Sequence, residues 1–109
     1  MEVIFDGGKG YMKITKSQNG NNLTVALEGR LDTNTAPELE SVLKNSLDGI
    51  TELTIDMAAL DYLSSAGLRI LLGAQKTMNK QGSMKVANVN DTIMEIFEVT
   101  GFADILTVV

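Results

Sequence analysis

Ser64 and Ser65 stand side by side in Leu60-Asp61-Tyr62-Leu63-Ser64-Ser65-Ala66-Gly67-Leu68-Arg69-Ile70-Leu71-Leu72, between an apolar strand-like stretch and an apolar helix-like one. Hydroxyls at a helix start admit two kinds of chemistry. A serine there can act as a nucleophile, or it can carry a phosphate, which the unsatisfied N–H groups and positive dipole end of the helix favour. The nucleophile needs a base and a strained turn. The chain contains no His, so the commonest general base is absent, and Leu63 stands two before Ser65 where a nucleophile elbow requires Gly. One serine suffices as a helix cap. The second is either a modification site or a small residue that eases the turn, and spacing alone leaves both open.

Other chemical motifs fall short of their requirements. Gly7-Gly8-Lys9-Gly10 lacks both the spacing of a phosphate-binding loop and a following Ser or Thr on a helix, and reads as a turn. Asp32-Thr33-Asn34 opens like a calcium loop, but Pro37 and Leu43 stand where that loop needs Gly and Glu. No metal and no cofactor is expected. Asp32 follows one strand and Asp61 precedes the serine pair, so both can lie at one edge of a sheet, although solvated loop carboxylates are common. Arg69, Lys76, Lys80 and Lys85 read as a solvated cationic face.

The elements that must position these residues follow from periodicity. A length of 109 residues suits one domain, 1–109, with one core. Met12–Lys16 and Leu23–Leu27 alternate apolar and polar around Gln18-Asn19-Gly20-Asn21-Asn22, which predicts a hairpin with Leu23, Val25 and Leu27 facing the core. Val3-Ile4-Phe5 is either an added edge strand or part of a flexible extension covering residues 1–11.

Thr35-Ala36-Pro37-Glu38 has the capping-box pattern, and Leu39, Val42, Leu43 and Leu47 continue it at helical spacing to Gly49. A strand at Leu53–Met57 and a short connection lead to a helix capped by Ser64, in which Gly73 and Ala74 allow close approach. Met84–Ala87, a helix opened by Asn90 and stopped by Gly101, and a last strand at Ile105–Val109 complete the order. Strands alternating with helices predict an α/β fold with parallel crossovers.

Charge and composition narrow the partners. Nine basic against fourteen acidic residues give −5, which disfavours nucleic acid and anionic membrane surfaces. The absence of Cys fits a reducing compartment. No apolar run is long enough to cross a bilayer and no secretory leader is evident, so the cytoplasm is the expected location, without membrane insertion.

Two separated motifs carry a more specific likeness. Asp56, Leu60, Tyr62-Leu63-Ser64-Ser65-Ala66-Gly67-Leu68 and Leu71-Leu72-Gly73 resemble the signature of STAS domains, particularly the bacterial anti-sigma factor antagonists, and Gly29-Arg30-Leu31-Asp32-Thr33-Asn34-Thr35-Ala36 resembles that family's approach to its first helix. The agreement runs from about Met12 to Val109. It implies a mixed β-sheet with an N-terminal hairpin and helices packed on it, here without the usual C-terminal helix.

The resemblance also implies a non-enzymatic partner-switching regulator. An anti-sigma factor that is also a serine protein kinase phosphorylates such an antagonist, and a metal-dependent serine phosphatase reverses this. The unmodified antagonist binds the anti-sigma factor and frees the sigma factor. Residue by residue, the acceptor falls on Ser65, with Ser64 as the lesser alternative. The partner-binding surface comprises Asp32, Thr33, Asn34, Asp61, Tyr62, Ser64, Ser65, Ala66, Gly67 and Arg69. A different use of the same fold is constitutive docking, as a subunit of a transporter or another regulatory complex.

Overall fold

The alternation at Leu23, Val25 and Leu27 does what a period of two dictates. In the strand Asn22–Leu31 these residues and Leu31 are buried on one face, while Thr24 and Ala26 between them are only half-buried. A computed structural model describes residues 2–6 and 11–109 of the chain. Its strands are β1 (Glu2–Asp6), β2 (Tyr11–Asn19), β3 (Asn22–Leu31), β4 (Glu52–Leu63) and β5 (Ser83–Ala87), and its helices are α1 (Ala36–Ser46), α2 (Ser65–Gln81) and α3 (Asp91–Thr100).

The five strands form one mixed sheet in chain order. β1, β2 and β3 are antiparallel, and α1 and α2 then act as crossovers that make β3, β4 and β5 parallel. Leu39 and Val42 of α1, Leu71 and Met78 of α2, and Ile93 and Phe97 of α3 join Val25, Leu27, Ile55 and Met57 in one buried cluster. Val3-Ile4-Phe5 lies in an edge strand, while the expected turn at Gly7–Gly10 lies outside the described residues. At α3 the Asn90 side chain accepts from the Ile93 N–H at 2.9 Å, and Gly101 ends the helix at φ 82°, both as its sequence predicts.

The largest departure is β4, which continues six residues beyond the expected Met57 and contains no connecting loop. Its buried residues are Leu53, Ile55, Met57, Leu60 and Leu63, so the apolar spacing changes from two to three. Each three-residue step is a bulge. Pairing with β3 runs Ala26 to Asp56, then Glu28 to Ala59, then Arg30 to Tyr62, inserting one extra residue into β4 each time. Asp56 secures the first bulge by accepting from the Ala58 N–H and the Asn88 side chain, both at 3.0 Å. Asp61 therefore lies in a strand and not in a loop.

Four smaller expectations also change. Thr35 occupies the N-cap of α1 without capping it, because its hydroxyl turns back to donate to the Arg30 carbonyl at 2.7 Å. α1 ends at Ser46, and Gly49, at φ 79°, serves the following turn instead of the helix end. Gly73 mediates no close approach, since a Cβ there would meet nothing within 4 Å. The last strand shrinks to one parallel bridge, Val86 to Val108, because Phe102–Asp104 winds into a short 3₁₀ turn first.

Candidate functional site

β3 and β4 end side by side, with Leu31 opposite Leu63 and the Ser64 N–H donating to the Leu31 carbonyl at 2.9 Å. The chain leaves β3 through Asp32 toward α1, and leaves β4 through Ser64 into α2. This topology gathers Asp32, Thr33, Asn34, Asp61, Tyr62, Ser64, Ser65, Ala66 and Gly67 at the carboxyl ends of two parallel strands. Arg69 follows on the next turn of α2. It lies at a groove of about 420 Å³ between α1 and α2, which Leu43, Leu47 and Ile70 help to line.

The two serines have different environments. Ser65 is the first helical residue and is exposed. Ser64 occupies the N-cap position with extended backbone at ψ 174°, but its side chain makes no capping bond, and its Oγ is buried without a hydrogen-bond partner. The expected Ser64 cap therefore does not form. No side chain satisfies the first N–H groups of α2, no acidic residue lies in its first turn, and the helical bonding begins with the Leu68 N–H donating to the Ser64 carbonyl at 3.0 Å. The positive end of the helix is left uncompensated next to an accessible hydroxyl.

Gly67 fixes where that hydroxyl stands. A Cβ at this residue would lie 2.7 Å from both Leu31 Cγ and Leu63 Cδ1, so the first turn of α2 can settle onto the strand ends only because no side chain intervenes. Ala66, half-buried beside it, packs against the core.

The turn after β3 is built around Asp32. Its Oδ1 accepts from the N–H groups of Asn34 at 2.9 Å and Thr35 at 3.1 Å, while Oδ2 lies 3.5 Å from Arg30 Nε. Thr35 is fully buried, and its Oγ1 also accepts from the Asp32 N–H at 2.9 Å. Partial burial raises the pKa of Asp32, but the backbone donors of Thr35 and Asn34, with the Thr35 hydroxyl and Arg30, outweigh it and leave the carboxyl below its usual value. A depressed carboxylate contributes stability that is complete above the usual Asp range and is lost as pH falls through the lowered value. Acid titration should therefore move the Asn34 and Thr35 amide resonances together, with a midpoint below that of free aspartate, and Asp32→Asn should abolish this step. A midpoint at or above the free value would contradict the geometry.

Arg30 is the residue that sequence reasoning missed as a site component. Its guanidinium lies over the Tyr62 ring, 4.1 Å from the centroid, and Tyr62 is 40% exposed. Without the two bulges, the register of Val25 with Ile55 would place Arg30 opposite Leu60, so this contact becomes visible only once β4 is correctly paired.

A family model for the STAS domain matches residues 13–109. The chain belongs to the STAS domain family. Among its STAS relatives, an anti-sigma-B factor antagonist of Bacillus subtilis is 30% identical over 98 residues, spanning 89% of this chain and 90% of the relative. An anti-sigma-B factor antagonist of Staphylococcus aureus is 34% identical over 86 residues, or 77% and 80% of the two chains. The fold also matches the crystal structure of an anti-sigma factor antagonist from Mycobacterium paratuberculosis at a TM-score of 0.81 and 23% identity, covering 89% of this chain and 84% of that one. No helix among the described residues is long and apolar enough to cross a membrane.

Proposed function

We propose that this STAS protein is an anti-sigma factor antagonist, which binds an anti-sigma factor while Ser65 is unmodified and is released when Ser65 is phosphorylated. The observation that carries the switch is the exposed Ser65 hydroxyl on the uncapped first turn of α2, beside a strand-end surface bearing Tyr62 and Asp32. Relatives named anti-sigma-B factor antagonists, at 30% and 34% identity, support the binding role.

The chemistry belongs to the partners. A serine kinase, the anti-sigma factor itself, transfers the phosphate, and a metal-dependent phosphatase removes it in the cytoplasm. The antagonist supplies a rigid platform. Phosphate adds about 1.5 to 2 negative charges and three acceptor oxygens. On the first helical turn it complements the dipole, so the modification alters the docking surface without requiring the domain to refold. Ser64 cannot serve equally, since its Oγ is buried.

Incubation with ATP and the cognate anti-sigma kinase, followed by peptide mass spectrometry, tests the assignment. A single phosphate on Ser65, absent from Ser65→Ala, is the expected result. An active kinase that leaves Ser65 unmodified while binding the protein would refute the switch.

A further inference from the structure

Charge is divided along the second half of the chain. From Tyr62 to Asn90 it carries Arg69, Lys76, Lys80 and Lys85 and no acid, whereas from Asp91 to Val109 it carries Asp91, Glu95, Glu98 and Asp104 and no cation. The two helices of this region therefore have opposite signs. On α2, Arg69, Gly73, Lys76 and Lys80 stand at i, i+4, i+7 and i+11, and on α3, Asp91, Glu95 and Glu98 stand at i, i+4 and i+7, spacings that keep residues on one helix face. All of these residues are exposed. Leu71 and Met78 of α2 and Ile93 and Phe97 of α3 enter the buried cluster, so each charged stripe points away from the core.

Neither stripe is answered within the molecule. No side chain of Arg69, Lys76, Lys80, Asp91, Glu95 or Glu98 has an ion pair or hydrogen bond among the described residues. Like charges one turn apart repel, as Lys76 and Lys80, Asp91 and Glu95, and Glu95 and Glu98 do, and Glu98 also stands near the negative end of the α3 dipole. The isolated chain gains nothing from this arrangement. Two uncharged residues accompany it. Val99, four after Glu95 on α3, is 82% exposed, more than any other large apolar side chain described. Gly73, inside the cationic stripe, has nothing within 4 Å of where a Cβ would stand. A glycine in a helix interior weakens the helix, and no packing within the chain calls for this one.

We propose that two copies of this chain pair through these faces, the cationic stripe of each α2 lying on the acidic stripe of the other copy's α3. The spacings match when the helices are set antiparallel. Lys76 and Lys80 are four residues apart, as Asp91 and Glu95 are, and Gly73 lies three before Lys76 as Glu98 lies three after Glu95. That register brings Val99 to the open space at Gly73. α2 and α3 each lead from one strand to a parallel neighbour, α3 by way of the Val86–Val108 bridge, so both run in the same direction. A two-fold axis across them therefore sets each against its counterpart antiparallel and makes the contact twice. Ser65 and Arg69 lie beyond the matched stretch, and the pairing is independent of the switch proposed above.

Sedimentation equilibrium of the intact chain at low salt tests the contact. The native chain should reach about twice the monomer mass and dissociate as salt screens the stripes. Glu95→Lys with Glu98→Lys, and separately Lys76→Glu with Lys80→Glu, should each remain monomeric where the native chain is paired. An equimolar mixture of these two variants should pair again, because each then meets the opposite sign on both helices. Gly73→Leu changes no charge and fills the gap; it should weaken pairing about tenfold or more. A native chain that stays monomeric, a charge variant or Gly73→Leu that pairs like the native chain, or a mixture of folded variants that stays monomeric overturns the proposal.

Discussion

Phosphorylated at Ser65, the protein is expected to bind its anti-sigma factor at least tenfold more weakly, a change of about 1.4 kcal/mol or more. Ser65→Ala should bind as tightly as the unmodified chain and lose all response to kinase and ATP, because it removes only an exposed hydroxyl. Ser65→Asp should fall between them. A carboxylate brings one unit of charge on a shorter, planar group, whereas phosphate brings about 1.5 to 2 and three oxygens. Titration calorimetry with the purified anti-sigma factor gives the three affinities directly. Equal affinities for the phosphorylated protein and Ser65→Ala would show that the strand-end surface around Ser65 is not the switch.

Gly82→Ala is the substitution expected to damage the fold most. The φ of Gly82, 172°, lies outside the left-handed region, and the constraint on a side chain there is one of space. A Cβ there would stand 1.9 Å from the Thr51 carbonyl oxygen and 2.6 Å from its carbon. The obstruction is backbone, held by the Ser83 N–H at 2.9 Å from the same Thr51 oxygen and by Gln81 Nε2 donating to Leu47 and Ile50 carbonyls, both at 2.7 Å. Relief would separate α2 and β5 from the turn before β4. A loss of about 3 kcal/mol is expected, lowering the melting temperature by roughly 10–20 °C for a domain of this size. Gly73→Ala is the control, since a Cβ there meets nothing within 4 Å. It should raise stability by up to about 1 kcal/mol through helix propensity. Thermal melts showing equal effects for the two glycines would contradict this packing.

Much of this architecture is legible in the sequence because local signals and burial agree. Leu23, Val25 and Leu27 alternate cleanly, and Asn90 and Gly101 bracket α3 as cap and stop. The failures share a cause: a tertiary contact competed with a local rule. Thr35 has the residues of a capping box around it, yet its hydroxyl has a better acceptor in the Arg30 carbonyl, a partner defined only when β3 meets α1. Ser64 has the right type for a cap, but the descent of α2 onto Leu31 and Leu63 at Gly67 leaves its Oγ enclosed. The end of β4 was hidden because its apolar period changes from two to three, which resembles a loop until the pairing with β3 is known. The residues that the structure gathers at the strand ends beside Ser65 stand in two motifs of the sequence, whereas the contact of Arg30 with Tyr62 depended on that same hidden register.

The two extra residues in β4 carry one more consequence. Each bulge absorbs its extra residue by leaving two neighbours exposed, Ala58 with Ala59 and then Asp61 with Tyr62, so every later side chain keeps the face it shares with its β3 partner. Buried positions in β4 accordingly pass from odd numbers at Leu53, Ile55 and Met57 to an even one at Leu60 and back to odd at Leu63, while β3 remains odd throughout. A change of one residue in this strand is therefore absorbed at either bulge, whereas the same change in the regular stretch Leu53–Met57 would turn the apolar face outward. Losing Asp61 alone would remove the second bulge and leave Leu60, Tyr62 and Leu63 alternating in, out and in opposite Gly29, Arg30 and Leu31, with the start of α2 unchanged.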